Sequence, residues 1–125
     1  MAKLLIAEDE PDIRNLLVFT LKFAGHTVVD VSNGADAVTA AKVEQPDLIL
    51  MDVRMPRMTG YEACQVMKAD PETASIPVVF LSAKGQESEI RTGLESGAAE
   101  YLLKPFSPME LTARVAELLA RYVKK

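Results

Sequence analysis

Five polar residues follow short apolar runs of the chain and are of types that can do chemistry together: Glu8, Asp9, Asp52, Ser82 and Lys104. The clearest case is the run Leu48 to Met51, which ends abruptly in Asp52. Four consecutive large apolar residues bounded by turn residues are typical of a strand that is covered on both faces. The carboxylate of Asp52 would then stand at the C-terminal end of that strand.

Three carboxylates gathered at one place would repel one another by roughly 4 kcal/mol per pair at 4 Å and an effective dielectric near 20, so they would favour a bound cation. Mg²⁺ suits such a site, because it takes hard oxygen ligands and is commonly completed by water and phosphate oxygens. An aspartate can itself accept a phosphoryl group. A lysine and a serine hydroxyl can both bond phosphoryl oxygens. The set therefore indicates Mg²⁺-dependent phosphoryl chemistry.

Alternating strands and helices would bring these residues together. The apolar and β-branched runs predict strands over residues 3–7, 27–31, 48–51, 76–81 and 101–103. Helical spacing, caps and breakers predict helices over residues 11–24, 33–41, 61–69, 88–97 and 107–122. This alternation predicts an α/β fold with a doubly wound parallel sheet, because parallel neighbours need crossover connections. The C-terminal strand ends, and the polar residues on them, then share one edge of the sheet.

Composition limits the classes of function. A chain of 125 residues has the length of one domain, which we expect to cover residues 1–125. The net charge of -4 argues against nucleic acid or a membrane surface as the main partner. The one cysteine, Cys64, excludes an internal disulfide and favours a packing role and a cytoplasmic location. No run has the length of a signal-peptide core or a membrane span.

The motifs, taken in order, resemble the receiver domain of two-component response regulators, of the single-domain chemotaxis-regulator kind. The resemblance covers the whole chain and is carried by Leu4 to Pro11, Asp47 to Pro56 with Met58 and Gly60, Leu81 to Ala83, and Tyr101 to Phe106. It implies a flavodoxin-like receiver fold, with five strands in the order 2-1-3-4-5 and five helices.

The same resemblance implies a role for each matching residue. Asp52 would be the phosphoacceptor and a metal ligand, and Asp9 would bind Mg²⁺ directly. Arg54 would contribute its backbone carbonyl to the metal. Glu8, which stands where aspartate is commoner, would hold the metal through water.

Three further residues would respond to the phosphoryl group. Ser82 would donate to a phosphoryl oxygen and Lys104 would pair with the phosphoryl charge. Tyr101 matches the aromatic residue that turns inward when Ser82 moves, so it is expected to act as the switch. The weak fourth helix over residues 88–97, which contains Gly93 and Gly97, is a candidate moving part.

The implied function is a signalling phosphoacceptor that promotes only its own phosphorylation and dephosphorylation. The implied partners are a sensor histidine kinase or a histidine phosphotransfer protein, and a downstream protein target, without direct contact to nucleic acid. A homodimer through the fourth helix, fifth strand and fifth helix is also expected from the resemblance.

Three other classes of protein share parts of this pattern. A flavin- or nucleotide-binding module would need a glycine- or hydroxyl-rich phosphate loop after the first strand, where this chain has acids. An aspartate-nucleophile phosphatase typically has a second acid two residues after the nucleophile, where this chain has Arg54. A receiver-like interaction domain that never turns over phosphate stays open.

Overall fold

The structure is a computed structural model that describes residues 2–83, 97–104 and 107–122. Its strands are β1 (Lys3–Ala7), β2 (Thr27–Val31), β3 (Leu48–Asp52), β4 (Val78–Ala83) and β5 (Glu100–Lys104). The helices within the described ranges are α1 (Pro11–Phe23), α2 (Gly34–Glu44), α3 (Gly60–Ala69) and a C-terminal helix (Pro108–Tyr122). Residues 88–96 of the predicted fourth helix lie outside the described residues.

The five strands form one parallel sheet in the order β2-β1-β3-β4-β5. This confirms the predicted fold class and strand order. β3 lies at the centre, and all five of its residues are buried. A strand closed on both faces must be apolar throughout, which explains the unbroken run that precedes Asp52.

Helices cover both faces of the sheet. On one face, α1 and the C-terminal helix pack against β1, β3 and β4 through a cluster that includes Leu17, Leu21, Leu111 and Val115. On the other face, α2 and α3 close the sheet through small or flexible side chains, namely Ala37, Ala41, Ala63, Cys64 and Met67. Cys64 is buried in this second cluster, in agreement with its predicted packing role.

β4 begins two residues later than predicted and extends through Ser82 to Ala83. Pro77 has no N–H to donate to the ladder, so regular pairing starts after it. The Pro77 carbonyl still accepts a hydrogen bond of 3.0 Å from the Ile49 amide. The shift matters for function because it keeps Ser82 within the strand, beside the end of β3.

Polar caps set the beginnings of the helices. Asn33 caps α2 as predicted, since its side chain accepts from the Asp36 amide at 2.8 Å. The predicted capping box of the C-terminal helix is also present: Glu110 and Ser107 each accept from the other's backbone amide, at 2.9 and 3.1 Å. No helix in the described part of the chain is long and apolar enough to cross a membrane.

Candidate functional site

The ends of β1 and β3 meet at the C-terminal edge of the sheet. Ala7, the last residue of β1, pairs with Met51 of β3. The residues that follow, Glu8 and Asp52, therefore stand at the same level of the sheet. This is the point where the strand order reverses direction, and ligands of open α/β sheets bind outside such switch points.

Glu8, Asp9 and Asp52 form one carboxylate cluster, in which one oxygen from each residue lies within 4.8 Å of the others. Glu8 is 1% exposed and Asp52 is 8% exposed, whereas Asp9 is exposed to solvent. The sequence prediction that these three acids converge is confirmed. The cluster is therefore buried at Glu8 and Asp52 and open to solvent at Asp9.

The loop that carries Glu8 and Asp9 is held by hydrogen bonds on both sides. The Glu8 amide donates to the Val31 carbonyl at 3.1 Å, and a Glu8 carboxylate oxygen accepts from the Glu10 amide at 3.2 Å. Arg14 Nη1 donates to the Glu8 carbonyl at 2.9 Å, and Arg14 Nε lies 3.4 Å from an Asp30 carboxylate oxygen.

Sequence reasoning missed Arg14. A cation in the second turn of a helix is common on protein surfaces, and its partners lie on the preceding loop and on β2. The pairing of β2 with β1 brings Asp30 near α1. Arg14 thus supports the two acids through their backbone and does not need to reach the cluster itself.

Gly60 fixes the distance between α3 and the end of β3. Its amide donates to the Val53 carbonyl at 2.8 Å. A Cβ at this position would lie 2.3 Å from the Asp52 carbonyl oxygen and 3.1 Å from the Phe80 ring. Only glycine fits without moving the backbone of Asp52, which gives the Gly60 of the sequence motif a physical role.

The loop between β3 and α3 passes close over the start of α2. A Cβ on Gly34 would lie 2.1 Å from the Met58 carbonyl oxygen. Arg57 in this loop has a φ of 69°, in the left-handed region. Arg54, the predicted carbonyl ligand, lies two residues after Asp52 in the same loop, and its side chain is exposed.

The start of α3 carries a cap that the sequence analysis did not use. Thr59 accepts from the Glu62 amide at 3.2 Å, and the Glu62 side chain accepts from the Thr59 amide at 2.9 Å. The signal, a threonine followed by a glutamate three residues later, is visible in the sequence. The box anchors the helix start immediately after the loop that leaves Asp52.

The backbone places Ser82 and Lys104 at the same edge as the acids. Asp52 pairs with Leu81 in the β3–β4 ladder, so Ser82 follows directly. In the β4–β5 ladder, Lys104 pairs with Ala83. The side chains of Ser82 and Lys104 lie outside the described residues, so their expected contacts with a phosphoryl group stay predictions.

Tyr101 is half-buried and packs against the core cluster on the α2–α3 face. Its neighbour in the β4–β5 ladder is Phe80. The Phe80 ring in turn meets Tyr61 edge to face, with centroids 5.2 Å apart. Tyr101 therefore stands between the core and the surface, the kind of place that a switching aromatic residue would need.

The donor set of the cluster fits a hard divalent cation. Three carboxylates offer only oxygen, which Mg²⁺ and Ca²⁺ prefer, and Mg²⁺ needs only one or two protein carboxylates beside water and phosphate. Soft ligands are not part of the cluster, so Zn²⁺ fits less well. Such a cation would also offset the repulsion among the acids.

A parallel sheet in the order 2-1-3-4-5 defines the class of flavodoxin-like α/β domains, and the carboxylate cluster lies at the switch point of that sheet. The family model of the response regulator receiver domain matches residues 4–116. The chain belongs to this family, and with it to two-component signalling.

Relatives and solved structures agree with this assignment. A probable transcriptional regulator, ycf27, of Cyanophora paradoxa is 41% identical over 119 residues, which are 95% of this chain and 48% of the relative. A putative response regulator from Chloroflexus aurantiacus superposes with a TM-score of 0.90 at 36% identity, over 96% of this chain and 98% of the other.

A third comparison bears on the metal. The receiver domain of the sensor histidine kinase PA1611 from Pseudomonas aeruginosa, solved with a magnesium ion coordinated in its active-site cleft, has a TM-score of 0.85 at 30% identity. The match covers 97% of this chain and 96% of that domain. Among the curated relatives, in contrast, the chain spans about half the length of ycf27 (48%) and of the regulator PhoP of Bacillus subtilis (49%).

Proposed function

We propose that Asp52 accepts a phosphoryl group from a sensor histidine kinase or a histidine phosphotransfer protein, and that residues 1–125 form the phosphoacceptor domain. The observation that carries the proposal is the position of Asp52, at the end of the buried strand β3 and within 4.8 Å of two other carboxylates. The N–P bond of the donor phosphohistidine breaks, and an O–P bond forms to one Asp52 carboxylate oxygen.

Mg²⁺ would be held by Asp9 and Asp52 directly, by the Arg54 backbone carbonyl, and by Glu8 through water. When bound, the ion supplies positive charge that offsets the acids and the incoming phosphoryl group. The exposure of Asp9 favours a direct ligand that is reached from solvent, whereas buried Glu8 lies deeper in the cluster. Arg14 and Gly60 position these ligands and do not touch the reacting atoms.

Phosphorylation would switch the protein through residues on β4 and β5. Lys104 would pair with the phosphoryl charge and the Ser82 hydroxyl would donate to a phosphoryl oxygen. Half-buried Tyr101 would then turn inward, since the pairing of β4 with β5 links it to the Ser82 strand. The new charge shifts a pre-existing equilibrium of the surface around Tyr101 and of residues 88–97.

The protein would promote only its own phosphorylation and dephosphorylation, act in the cytoplasm, and pass the signal to a downstream protein target. Contact with nucleic acid or a membrane is not part of the proposal for this chain. Phosphorylation-dependent pairing would use the fourth helix, the fifth strand and the C-terminal helix.

The test is the intact mass of the protein after incubation with acetyl phosphate, with Mg²⁺ or with EDTA. We expect one phosphoryl adduct in the parent with Mg²⁺ and none in Asp52→Asn. Asp9→Ala should form the adduct only at much higher Mg²⁺ concentrations. Asp47→Asn is the matched control, since Asp47 precedes β3 and accepts from the Lys3 amide at 2.9 Å, far from the cluster.

Two results would contradict the proposal. An adduct on Asp52→Asn equal to that on the parent would place the phosphoryl group elsewhere. No adduct on a parent that binds Mg²⁺ would favour an interaction domain that works without phosphoryl turnover. Lys104→Ala should still accept the phosphoryl group but lose the change in partner binding, so normal signalling by that variant would exclude the switch role of Lys104.

A further inference from the structure

The start of α3 lies in contact with both β3 and β4. A Cβ on Gly60 would lie 2.3 Å from the Asp52 carbonyl oxygen on one side and 3.1 Å from Cε1 of Phe80 on the other. The Gly60 backbone therefore fills the space between Asp52 and the Phe80 ring. Because packed interiors leave little free volume, neither neighbour can move towards Gly60 without displacing it.

The Phe80 ring is enclosed by its neighbours. It is 2% exposed and belongs to the core cluster on the α2–α3 face. Its edge-to-face contact with the Tyr61 ring has centroids 5.2 Å apart and planes 79° apart. Aromatic pairs prefer particular arrangements, so a shift of one ring favours a shift of the other. Phe80 thus packs against two consecutive residues of α3, Gly60 and Tyr61.

Tyr101 stands beside Phe80 on the same face of the sheet. The two residues are partners in the β4–β5 ladder, and Tyr101 packs against the cluster to which Phe80 belongs. Neighbouring strands lie about 4.8 Å apart, so paired side chains on one face are within reach of each other. Tyr101 is half-buried, whereas Phe80 is enclosed. The room for Tyr101 to turn inward therefore depends on where the Phe80 ring lies.

We propose that Phe80 couples Tyr101 to the start of α3, so that the two change position together. Asp52 would then influence Tyr101 by two routes: through the Ser82 hydroxyl, as in the proposed function, and through Gly60 and the Phe80 ring. The inference rests on the proposed function only for the event that moves Tyr101. The packing link itself needs neither metal nor phosphoryl group.

The coupling would create a second surface that responds to Asp52. Tyr61 is half-buried, so part of its side chain reaches solvent at the start of α3. The surface expected to change in the proposed function lies instead around Tyr101 and residues 88–97. If Tyr61 and Tyr101 share one two-state equilibrium, a partner bound at either surface shifts the other by the same free energy.

The first test measures the link in EDTA, without phosphorylation. Urea unfolding gives the midpoints of Tyr61→Leu, Tyr101→Leu and the double variant. The double variant should lower the midpoint by less than the sum of the two single changes, because the two rings are coupled through Phe80. In a Phe80→Leu background the two changes should add. Tyr122→Leu is the matched control: Tyr122 packs against the cluster on the opposite face, so its effect should add to that of Tyr61→Leu.

The second test follows each tyrosine ring as Asp52 is phosphorylated. The chain has three tyrosines, so labelling with 3-fluorotyrosine gives three fluorine resonances, each assigned by its Tyr→Phe variant. With Mg²⁺ and acetyl phosphate, the Tyr61 and Tyr101 resonances should shift in proportion to the fraction of the chain that carries the adduct. Tyr122 is the internal control and should shift much less, since it lies on the opposite face.

Two variants separate the link from simple proximity of Tyr61 to Asp52. Phe80→Leu keeps an apolar side chain but removes the ring, so the adduct should still form while Tyr61 loses most of its shift. Tyr101→Leu leaves the contacts of Tyr61 in place and should also reduce that shift. Phe80→Met removes the ring with a smaller change of volume, and urea unfolding checks that each variant is folded.

Ser82→Ala tests whether two routes exist. The single variant should keep part of the Tyr101 shift, because the contact through Phe80 remains. Ser82→Ala combined with Phe80→Leu should lose the rest. Loss of the whole Tyr101 shift in Ser82→Ala alone would leave a single route and overturn the proposal.

Two other results would overturn the proposal while leaving phosphorylation of Asp52 intact. Additive midpoints for Tyr61→Leu and Tyr101→Leu in EDTA would show that Phe80 does not link the two rings. An unchanged Tyr61 shift in folded Phe80→Leu and Tyr101→Leu would assign that shift to proximity alone. A parent without an adduct would instead contradict the proposed function, and the midpoints in EDTA would still decide whether the link exists.

Discussion

Neutralising Asp52 should stabilise the protein when no metal is present, because Asp52 belongs to a cluster of like charges. Asp52→Asn replaces the charged carboxylate by a neutral amide of nearly the same shape. The three acids offer oxygens within 4.8 Å of one another. At that distance and an effective dielectric near 20, two negative charges repel by roughly 3.5 kcal/mol.

The measured gain in the free energy of unfolding will be smaller than the summed repulsion of Asp52 with Glu8 and with Asp9. Asp9 is exposed, so water and salt screen its charge. We therefore expect the free energy of unfolding to rise by on the order of 1–3 kcal/mol in EDTA, which for a domain of this size raises Tm by about 4–12 °C.

The assay is thermal and urea unfolding at low ionic strength, with EDTA and then with Mg²⁺. Mg²⁺ should raise the stability of the parent much more than that of Asp52→Asn, because the variant has lost a ligand and much of the repulsion. Glu44→Gln serves as control: Glu44 pairs with Lys3 at 2.8 Å, so removing this charge should lower stability by up to about 1 kcal/mol.

Easier unfolding of Asp52→Asn than of the parent in EDTA would show that repulsion among the three acids does not govern stability. Equal stabilisation of both proteins by Mg²⁺ would show that the cation binds without Asp52. If Glu44→Gln raised the free energy of unfolding as much as Asp52→Asn, the increase would reflect the net charge of -4 and not the carboxylate cluster.

Three further predictions concern the supports of the site and the rest of the fold. Gly60→Ala should lower the free energy of unfolding by about 1–2 kcal/mol and weaken Mg²⁺ binding, because its Cβ would meet the Asp52 carbonyl oxygen. Gly34→Ala is the control: it should lower the free energy of unfolding similarly but leave Mg²⁺ titrations unchanged, because its Cβ would meet Met58 instead. Partial burial lowers the pKa of His26 below 6.5, so the imidazole binds a proton more readily in the unfolded chain than in the folded protein. The free energy of unfolding should therefore fall as the pH drops below about 6.5. His26→Gln should flatten that part of the pH profile of stability, measured by urea unfolding. Lys68→Met should lower the free energy of unfolding by about 1–3 kcal/mol, because Lys68 donates to the carbonyls of Ala74 and Ile76 at 3.0 and 2.7 Å. An unchanged midpoint in urea unfolding would show that these two hydrogen bonds contribute little to stability.

The sheet and the acid cluster could be predicted because their signals are local. A buried parallel strand needs an unbroken apolar run, so the polar residue that ends the run also marks the sheet edge. Asp52 and Glu8 were found in this way. The helix starts at Asn33 and Ser107 were equally visible, since a cap is satisfied by residues two or three positions away.

The supports of the cluster could not be predicted, because their reasons lie between distant segments. Arg14 matters through the β1–β2 pairing, and Gly60 matters because the Asp52 carbonyl lies where a Cβ would be. Periodicity also did not distinguish the two faces of α1. Leu16 and Leu17 both fit an apolar helical pattern, yet the structure buries Leu17 and exposes Leu16.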